Sequence, residues 1–553
     1  MARFALPRIS SLLGRRAGAV AGLALGLAAA GGAGPSPLAA QTDPTWLTQS
    51  LTDWYAGAAR VAPGTWGVAV ADQSGRILWE VNKDTPLVPA STVKLLTTGF
   101  ARTVLGGDAR RPTRVVGNGR VNPGTGEWLG TWALELNGDP TLERGEGKGP
   151  TLYDLALQLR QAGVRRITGP LKVLSSDGPA VSAYPSVWSA RHQGRLFAPL
   201  IGPLTLNENV VWLTVAPGSR PGAKARIVGA SPQGLGSLVT MKATTRSGRR
   251  TSLRLLARGD GGWIVTGKIG MRSGSRRFAA VARSPKAVLS AAWASALSRA
   301  GISWVQKGFP APKNTPATPR VLAEVTSPPL DSVASEVNRR SLNIGAELLL
   351  QWAGGRDGAS ARLTEHVREV SGDPEGAYLV DGSGLSGHDR VKPATFVSYL
   401  AKFPTTSAGR NFPLLLPANG TGTLRRLNSG LPGSGVVRAK TGTLNNVSTV
   451  VGYLGRSDGV LLVSLMYNGS RTWAARQEQW KLFRLLGADG VVIESDPIES
   501  EAPAQLGGEI EGAEAAEAEE AREASSTNGA PATAAPAVPN WWPAPSDPKP
   551  AGR

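Results

Sequence analysis

The chain has 553 residues, 41% of them hydrophobic, which is too long for one core and enough to bury two or three domains. It contains no cysteine, which excludes disulfides, thiol catalysis and thiolate metal sites, and its three histidines are not spaced as a metal-binding pair. The formal net charge is +20, with +25 on residues 41–493 and −10 on residues 494–523. We therefore expect several domains and neither a metal nor another cofactor.

The N-terminal 40 residues carry four arginines, then an apolar run rich in Gly and Ala, then the small-residue end Leu38-Ala39-Ala40. This pattern predicts a secretory signal peptide rather than a retained transmembrane anchor. We therefore expect an exported protein of the periplasm or cell envelope, without a transmembrane anchor after cleavage. The pair Arg15-Arg16 leaves the choice between general and twin-arginine export open.

The predicted elements then follow in chain order. Alternating apolar residues on both sides of Asp72-Gln-Ser-Gly75 predict a β-hairpin over 64–82, and a helix is expected to start near Ser91. Helices are predicted over 152–162 and 287–300, and between them short β-like runs are broken by Gly, Pro and Ser. Further on, two strands flank a turn at Asn445-Asn446, a buried strand covers 461–467, and a helix covers 473–486.

These elements predict an α/β (α+β) fold, in which an antiparallel sheet flanked by helices is interrupted by two smaller inserted domains, one of them β-rich. The expected domains are a signal peptide over 1–40, a main domain over 41–104 and 321–493, an inserted α/β domain over 105–210 and 284–320, a nested β-rich domain over 211–283, and a disordered tail, first acidic and then rich in Pro and Ala, over 494–553.

The first chemical motif is Ser91-Thr-Val-Lys94, at the predicted helix start. Its i, i+3 spacing places a hydroxyl and an amine on one helix face within contact distance. A serine nucleophile needs a neighbour that takes its proton, and with no suitable histidine a lysine is the available base. The free amides of the helix N-terminus can also hold an anionic oxygen. The pattern alone is weak, because Ser546-Asp-Pro-Lys549 repeats it in the tail.

The second motif is Ser341-Leu-Asn343, expected at the front of a helix. It supplies a hydroxyl that can pass a proton and a carboxamide that can both donate and accept hydrogen bonds. On its own, this pattern is more often a serine N-cap followed by a solvent-facing asparagine.

The third motif, Lys440-Thr-Gly-Thr443, is expected on a strand that runs into a turn. Lys440 supplies a cation, Thr441 and Thr443 supply hydroxyls, and Gly442 lets a backbone or a ligand come close. On its own, Lys440 is more often an exposed edge-strand lysine that opposes aggregation.

The three motifs in this order, on helix, helix and strand, are those of penicillin-binding proteins and class A β-lactamases. Over most of residues 45–490 the sequence resembles the D-alanyl-D-alanine carboxypeptidase/endopeptidase family, the low-molecular-mass class C penicillin-binding proteins (peptidase family S13). The gap of about 250 residues between Lys94 and Ser341 fits the two extra domains of that family. Other resembling stretches are Leu136-Asn-Gly-Asp-Pro-Thr-Leu142, Leu204-Thr-Leu-Asn-Glu-Asn209, Asp381-Gly-Ser-Gly-Leu-Ser386 and Gly420-Thr-Gly-Thr-Leu-Arg425.

The resemblance implies a penicillin-binding/β-lactamase-like transpeptidase domain and a serine-type carboxypeptidase or endopeptidase. Its substrates would be peptidoglycan stem peptides ending in D-Ala-D-Ala, and β-lactams would be its covalent inhibitors. The implied roles are acylation for Ser91, base for Lys94, proton relay for Ser341, orientation of Lys94 and substrate for Asn343, and binding of the terminal carboxylate for the Lys440, Thr441, Gly442 and Thr443 strand. The backbone amides of Ser91 and Thr443 would form the oxyanion hole.

Three other functions remain open from the sequence. A β-lactamase-like hydrolase shares the motifs, although no separate glutamate motif for water activation is present. A peptidoglycan-binding or penicillin-sensing protein without turnover would not need all three motifs intact. An adhesin for anionic polymers would explain the charge alone. Nucleic acid is the usual partner of such a basic body, but export and the absence of an aromatic-interleaved basic motif predict no nucleic-acid partner; an anionic envelope polymer or a merely solvated basic surface fits equally.

Overall fold

The computed structural model describes residues 44–493 except 146, 148 and 309–318. The predicted signal peptide over 1–40 and the predicted tail over 494–553 lie outside the described residues. Within the described part, no helix combines the length and apolar character needed to cross a bilayer.

The helices of the described residues, in chain order, are α1 (Pro44–Val61), α2 (Val93–Leu105), α3 (Leu152–Gln161), α4 (Pro285–Arg299), α5 (Leu330–Arg340), α6 (Asn343–Gly354), α7 (Ala359–Ser371), α8 (Pro393–Lys402) and α9 (Thr472–Leu486). The predicted helices at 152–162, 287–300 and 473–486 correspond to α3, α4 and α9. The helices α1, α5, α7 and α8 were not predicted.

The strands are β1 (Thr65–Ala71), β2 (Ile77–Val81), β3 (Pro112–Val121), β4 (Trp128–Glu135), β5 (Arg166–Thr168), β6 (Val173–Leu174), β7 (Val210–Ala216), β8 (Arg226–Ser231), β9 (Val239–Met241), β10 (Thr244–Arg246), β11 (Ser252–Ala257), β12 (Trp263–Gly270), β13 (Arg276–Val281), β14 (Ser303–Val305), β15 (Arg320–Thr326), β16 (Ala377–Tyr378), β17 (Arg390–Val391), β18 (Val437–Leu444), β19 (Val447–Arg456) and β20 (Gly459–Asn468).

The largest sheet is antiparallel, has the order β18-β19-β20-β1-β2, and is covered by helices on both faces. The side chains of β20 alternate between two cores, as the period of two of a strand requires: Leu462 and Met466 join the core of α2 and α5–α8, whereas Val463 and Leu465 join the core of α1 and α9. The predicted hairpin over 64–82 is β1 and β2, and the predicted turn at Asn445-Asn446 joins β18 to β19. The predicted antiparallel sheet flanked by helices is therefore confirmed.

Between α2 and α5 the chain builds separate sheets. The first of these is a four-stranded sheet with the order β15-β3-β4-β6, and the helices α3 and α4 share its core. Strand β15, which we assigned to the main domain from residue 321 onward, pairs with β3 in this inserted sheet. Strand pairing depends on contacts about 200 residues apart in sequence, so the pattern of β15 by itself did not reveal its partner. The domain boundaries remain a prediction.

The stretch from 210 to 281 contains the sheet β13-β7-β8 and a second sheet formed by β9–β12. A small core lies between them, formed by Val215, Ala225, Ala243, Val265 and Ile269. The short β-like runs of the sequence are thus strands, and they lie between the two parts of the α3/α4 module in the chain.

Candidate active site

Ser91 lies in a single 3-10 turn, Ala90–Thr92, that leads directly into α2. Ala90 has φ +49°, a left-handed conformation that a residue other than glycine adopts only when its surroundings hold it. Two hydroxyls, those of Thr92 and Thr449, donate to the carbonyl of Pro89, each at 2.7 Å. The main sheet therefore fixes the turn that presents Ser91.

Lys94 lies one helical turn after Ser91, with its side chain fully buried. Its Nζ donates to Ser91 Oγ at 2.8 Å, to Asn343 Oδ1 at 2.6 Å and to the carbonyl of Ser383 at 2.6 Å. The contact between Ser91 and Lys94 is the one that the i, i+3 spacing predicted. The other two join residues 249 and 289 positions apart in the chain. The family resemblance implied the contact of Lys94 with Asn343. The contact with the Ser383 carbonyl was missed, because a backbone carbonyl belongs to no sequence motif.

Ser341 and Asn343 lie at the junction of α5 and α6. Asn343 begins α6, but Ser341 ends α5 with φ +56° and ψ +44°, so the prediction that the whole motif lies at the front of one helix was wrong for Ser341. The left-handed residue reverses the chain between the helices, a role usually taken by glycine. Asn343 also donates from Nδ2 to the carbonyl of Phe197, 2.9 Å away, in a loop of the inserted part.

Lys440 is fully buried on β18, so it is not an exposed edge-strand lysine, although β18 is an edge strand. Its Nζ donates to Ser341 Oγ at 2.9 Å and to the carbonyl of Thr441 at 2.8 Å. The hydroxyl of Thr441 is also buried and has no hydrogen-bond partner among the described residues. A buried cation and an unused hydroxyl beside it are suited to an anionic group of a ligand.

Gly442 lies where β18 passes the turn of Ser91. A Cβ at this position would lie 2.9 Å from Ser91 N, 2.7 Å from the carbonyl oxygen of Pro89 and 2.3 Å from Thr449 Oγ1. Any other residue would push the strand away from the serine turn. The structure thus gives the glycine of the third motif a specific steric reason, the close approach of two backbones.

Arg476, on α9, holds the end of the same strand and was missed from the sequence. Its guanidinium donates to the carbonyl of Gly442 at 2.8 Å, to Thr443 Oγ1 at 3.1 Å and to the carbonyl of Thr449 at 2.9 Å. It also donates to Gln479 one turn along the helix, at 2.9 Å. An Arg and a Gln three positions apart on an amphipathic helix form no recognisable motif, so only the packing of α9 reveals this contact.

The loop 381–386 carries the carbonyl that binds Lys94, and buried carboxyl groups hold this loop. Glu347 Oε1 accepts from the amides of Gly382 and Ser383, at 3.1 and 2.9 Å. Asp381 accepts from the amides of Ser383, Gly384 and Ser386, at 2.6–3.1 Å. Burial, with the nearby charge of Asp381 second, raises the pKa of Glu347 to about 8. Burial therefore favours the uncharged form of Glu347 beneath the loop that binds Lys94.

A pocket of about 110 Å³ adjoins Ser341 and Asn343 on the side of the inserted sheets. Its wall includes Arg340, which donates to both oxygens of Glu208, at 2.5 and 3.0 Å. Glu208 is the middle of three consecutive non-glycine residues with positive φ, at 48°, 59° and 54°. The bidentate pair of Arg340 and Glu208 therefore connects the strained turn 207–209 of the inserted part to the end of α5, directly before Ser341.

The eight sequence-predicted residues form one site, which we call the active-site cleft. Ser91 and Asn343 bind Lys94, Ser341 binds Lys440, and Thr441, Gly442 and Thr443 continue the strand of Lys440. The described residues contain no group of His, Cys, Asp and Glu arranged to hold a metal ion. What the arrangement offers is a hydroxyl in contact with a buried amine, and a second pair of the same kind, Ser341 and Lys440, linked to the first through the Ser341-Leu-Asn343 turn. This is suited to acyl transfer, with one pair for the attacking group and one for the leaving group.

Comparisons with known proteins show what the chain is similar to. Residues 47–487 match the model of the D-Ala-D-Ala carboxypeptidase 3 (S13) family. A D-alanyl-D-alanine carboxypeptidase of Actinomadura sp. is 27% identical over 430 residues, 73% of this chain and 77% of the relative. A carboxypeptidase of Mycobacterium tuberculosis is 29% identical over 422 residues, 71% of this chain and 74% of the relative. The crystal structure of penicillin binding protein 4 of Haemophilus influenzae aligns with a TM-score of 0.62 at 21% identity, covering 78% of this chain and 98% of that one.

Proposed function

Because the chain belongs to the D-Ala-D-Ala carboxypeptidase 3 (S13) family and is a serine-type D-Ala-D-Ala carboxypeptidase, we propose that it acts on peptidoglycan stem peptides through an acyl-enzyme on Ser91. The observation that carries the proposal is the contact of 2.8 Å between Lys94 Nζ and Ser91 Oγ. The same chemistry cuts a cross-link when the departing amine belongs to a neighbouring peptide, so the proposal includes DD-endopeptidase activity.

In the first step, Lys94 acts as the base and takes the proton of Ser91 across their contact of 2.8 Å, and Ser91 Oγ attacks the carbonyl carbon of the penultimate D-Ala. The carbonyl oxygen becomes an oxyanion, which the backbone amides of Ser91 and Thr443 stabilise. The amide oxygen of Asn343 and the carbonyl of Ser383 keep the amine of Lys94 directed at Ser91, because each accepts one of its hydrogen bonds.

In the second step, the C–N bond breaks and the departing D-Ala amine takes a proton from Ser341 Oγ. The proton that Lys94 took from Ser91 replaces it, so Lys94 can act as a base again. Lys440 Nζ, 2.9 Å from Ser341 Oγ, favours this transfer and attracts the terminal carboxylate of the substrate. The hydroxyls of Thr441 and Thr443 bind the same carboxylate. A water molecule then attacks the ester carbonyl while Lys94 takes its proton. The bond between the acyl group and Ser91 Oγ breaks, Lys94 returns the proton to Ser91 Oγ, and the shortened peptide leaves.

Two further parts of the proposal follow from the sequence. Residues 1–40 direct export to the periplasm or cell envelope, where peptidoglycan is found. β-Lactams acylate Ser91 and block the site. A protein of the same fold, penicillin binding protein 4 of Haemophilus influenzae, has been solved in complex with a β-lactam, and this structure covers 78% of this chain.

The test combines labelling with product analysis. Fluorescent penicillin is expected to label the wild-type protein covalently and the Ser91→Ala variant not at all. Mass spectrometry of purified cross-linked muropeptides is expected to detect free D-Ala and cleaved cross-links with the wild type only. Labelling that persists in Ser91→Ala would overturn the nucleophile, whereas rapid penicillin hydrolysis without D-Ala release would favour a β-lactamase. Inertness in both assays would favour a binding protein.

A further inference from the structure

The positive charge of the protein is concentrated in the nested β-rich stretch. Residues 211–283 contain fourteen Lys and Arg and a single acidic residue, Asp260. Their net charge of +13 is more than half of the +25 carried by residues 41–493. A basic surface that merely reflects an arginine-rich composition would be spread evenly, and this one is not.

Five of these cations meet at one end of the sheet formed by β9–β12. We name this cluster the basic tip and define it by Arg246, Arg249, Arg250, Lys268 and Arg272. The backbone brings them together: Met271 N donates to the carbonyl of Arg246 at 2.9 Å, and Arg272 N donates to that of Gly248 at 3.0 Å. Lys268 lies across from Thr244 and Ser252 in the two neighbouring strands.

Among the described residues, the basic tip has no acidic partner. Asp260 lies in the turn at the opposite end of the β11–β12 hairpin, where it pairs with Arg258. None of the five tip residues forms an ion pair with any residue in the described part of the chain, and four of them, all except Arg246, are exposed. Like charges grouped at one end of a sheet repel each other, so an anionic partner would be bound favourably there.

The chemistry of the tip selects the class of partner. Four of its five cations are arginines, whose planar guanidinium binds phosphate in a bidentate manner. The aromatic residues of 211–283 are buried or partly buried, so they offer no exposed ring on which nucleobases would stack. We propose that the basic tip binds a non-nucleotide anionic polymer with repeating phosphodiester groups, and so holds the enzyme beside such a polymer in the envelope.

The experiment measures binding of the full chain to poly(glycerol phosphate) at several salt concentrations, with dextran as the uncharged control. The variant Arg249→Gln/Arg250→Gln/Arg272→Gln is expected to bind about 10-fold or more weakly at 0.1 M salt. Its dependence of log K on log salt should be less steep by about 2, since each phosphate contact contributes roughly 0.7. The control Arg60→Gln/Arg120→Gln/Arg410→Gln removes the same charge from exposed sites elsewhere and is expected to change binding less than about 2-fold.

Several outcomes would overturn the proposal. If both triple variants lose the same affinity for poly(glycerol phosphate), binding depends on net charge and not on the basic tip. If the wild type binds poly(glycerol phosphate) no more strongly than dextran, the proposed partner is wrong. Tighter binding of a 20-base-pair DNA at equal phosphate would assign the tip to nucleic acid. If the polymer binds only after the acidic residues of 494–523 are replaced by Gln or Asn, the partner is the chain's own acidic segment. Release of D-Ala, measured in parallel, is expected to be unchanged in both triple variants, so failure here leaves the proposed function untouched.

Discussion

The active-site cleft and the basic tip use the same residue types in opposite ways. In the cleft, Lys94 and Lys440 are fully buried, and each has hydrogen-bond partners within 3 Å on distant parts of the chain. In the tip, arginines and a lysine face water without an ion-pair partner in the described residues. The comparison teaches that a buried amine acts on the atoms it touches, whereas exposed cations act together through their field. Single substitutions should therefore be severe in the cleft and mild in the β-rich stretch.

The largest effect is expected from Lys94→Met. The variant keeps much of the side-chain volume but removes the proton acceptor and leaves Asn343 Oδ1 and the carbonyl of Ser383 without their donor. We expect the rate of acylation by fluorescent penicillin to fall on the order of 1000-fold. Retention of a tenth or more of the wild-type rate in a folded variant would show that another group is the base.

A smaller but clear loss is expected from Gly442→Ala. The new Cβ would overlap the turn of Ser91, and a displacement of about 1 Å at a reacting group costs roughly 100-fold in rate. The overpacking should also lower the free energy of unfolding by about 1–3 kcal/mol. Gly57→Ala is the matched control, because no atom lies within 4 Å of its added Cβ on α1. Normal acylation by Gly442→Ala would contradict the close approach of strand and turn.

The third prediction concerns pH and the buried carboxyl of Glu347. Its pKa is raised from 4.5 to about 8 by burial, so the folded chain holds this proton more tightly than the unfolded chain does. Folding stability is then lost as pH rises from about 4.5 to about 8. Gln cannot ionise and retains the oxygen that accepts from Gly382 and Ser383. We would measure the free energy of unfolding of both proteins by denaturation at pH 5 and pH 8. Relative to the wild type, Glu347→Gln should be more stable at pH 8 than at pH 5 by at least about 1 kcal/mol. The same difference in unfolding free energy at both pH values would contradict the raised pKa.

The smallest effect is expected from Asp260→Asn. This substitution breaks the ion pair with Arg258, which lies at the surface of the β-rich stretch. Solvent and salt screen such pairs, so the melting temperature and the penicillin-labelling rate should both remain unchanged within error. A marked loss of either would show that this stretch depends on its charges as the cleft does, and the contrast between the two regions would fail.

The sequence by itself determined much of the local structure. The period of two on both sides of Asp72-Gln-Ser-Gly75 predicted β1 and β2, and the i, i+3 spacing predicted the contact of Ser91 with Lys94. These predictions succeeded because each depends on residues near each other in the chain. The i, i+3 spacing of serine and lysine alone cannot distinguish Ser91 from Ser546, which has the same spacing. The order of the three motifs does distinguish them, and the family match over 47–487 includes Ser91 but not Ser546.

Only the tertiary structure decided which distant groups meet. It placed β15 beside β3, gave Ser341 its left-handed turn, brought Arg476 to the strand of Lys440, and set the carbonyls of Ser383 and Phe197 against Lys94 and Asn343. Backbone carbonyls carry no sequence signature, and a pKa depends on burial, so neither can be inferred from spacing. The sequence determined which chemical groups the protein carries, and the fold decided which of them are buried together and which face water.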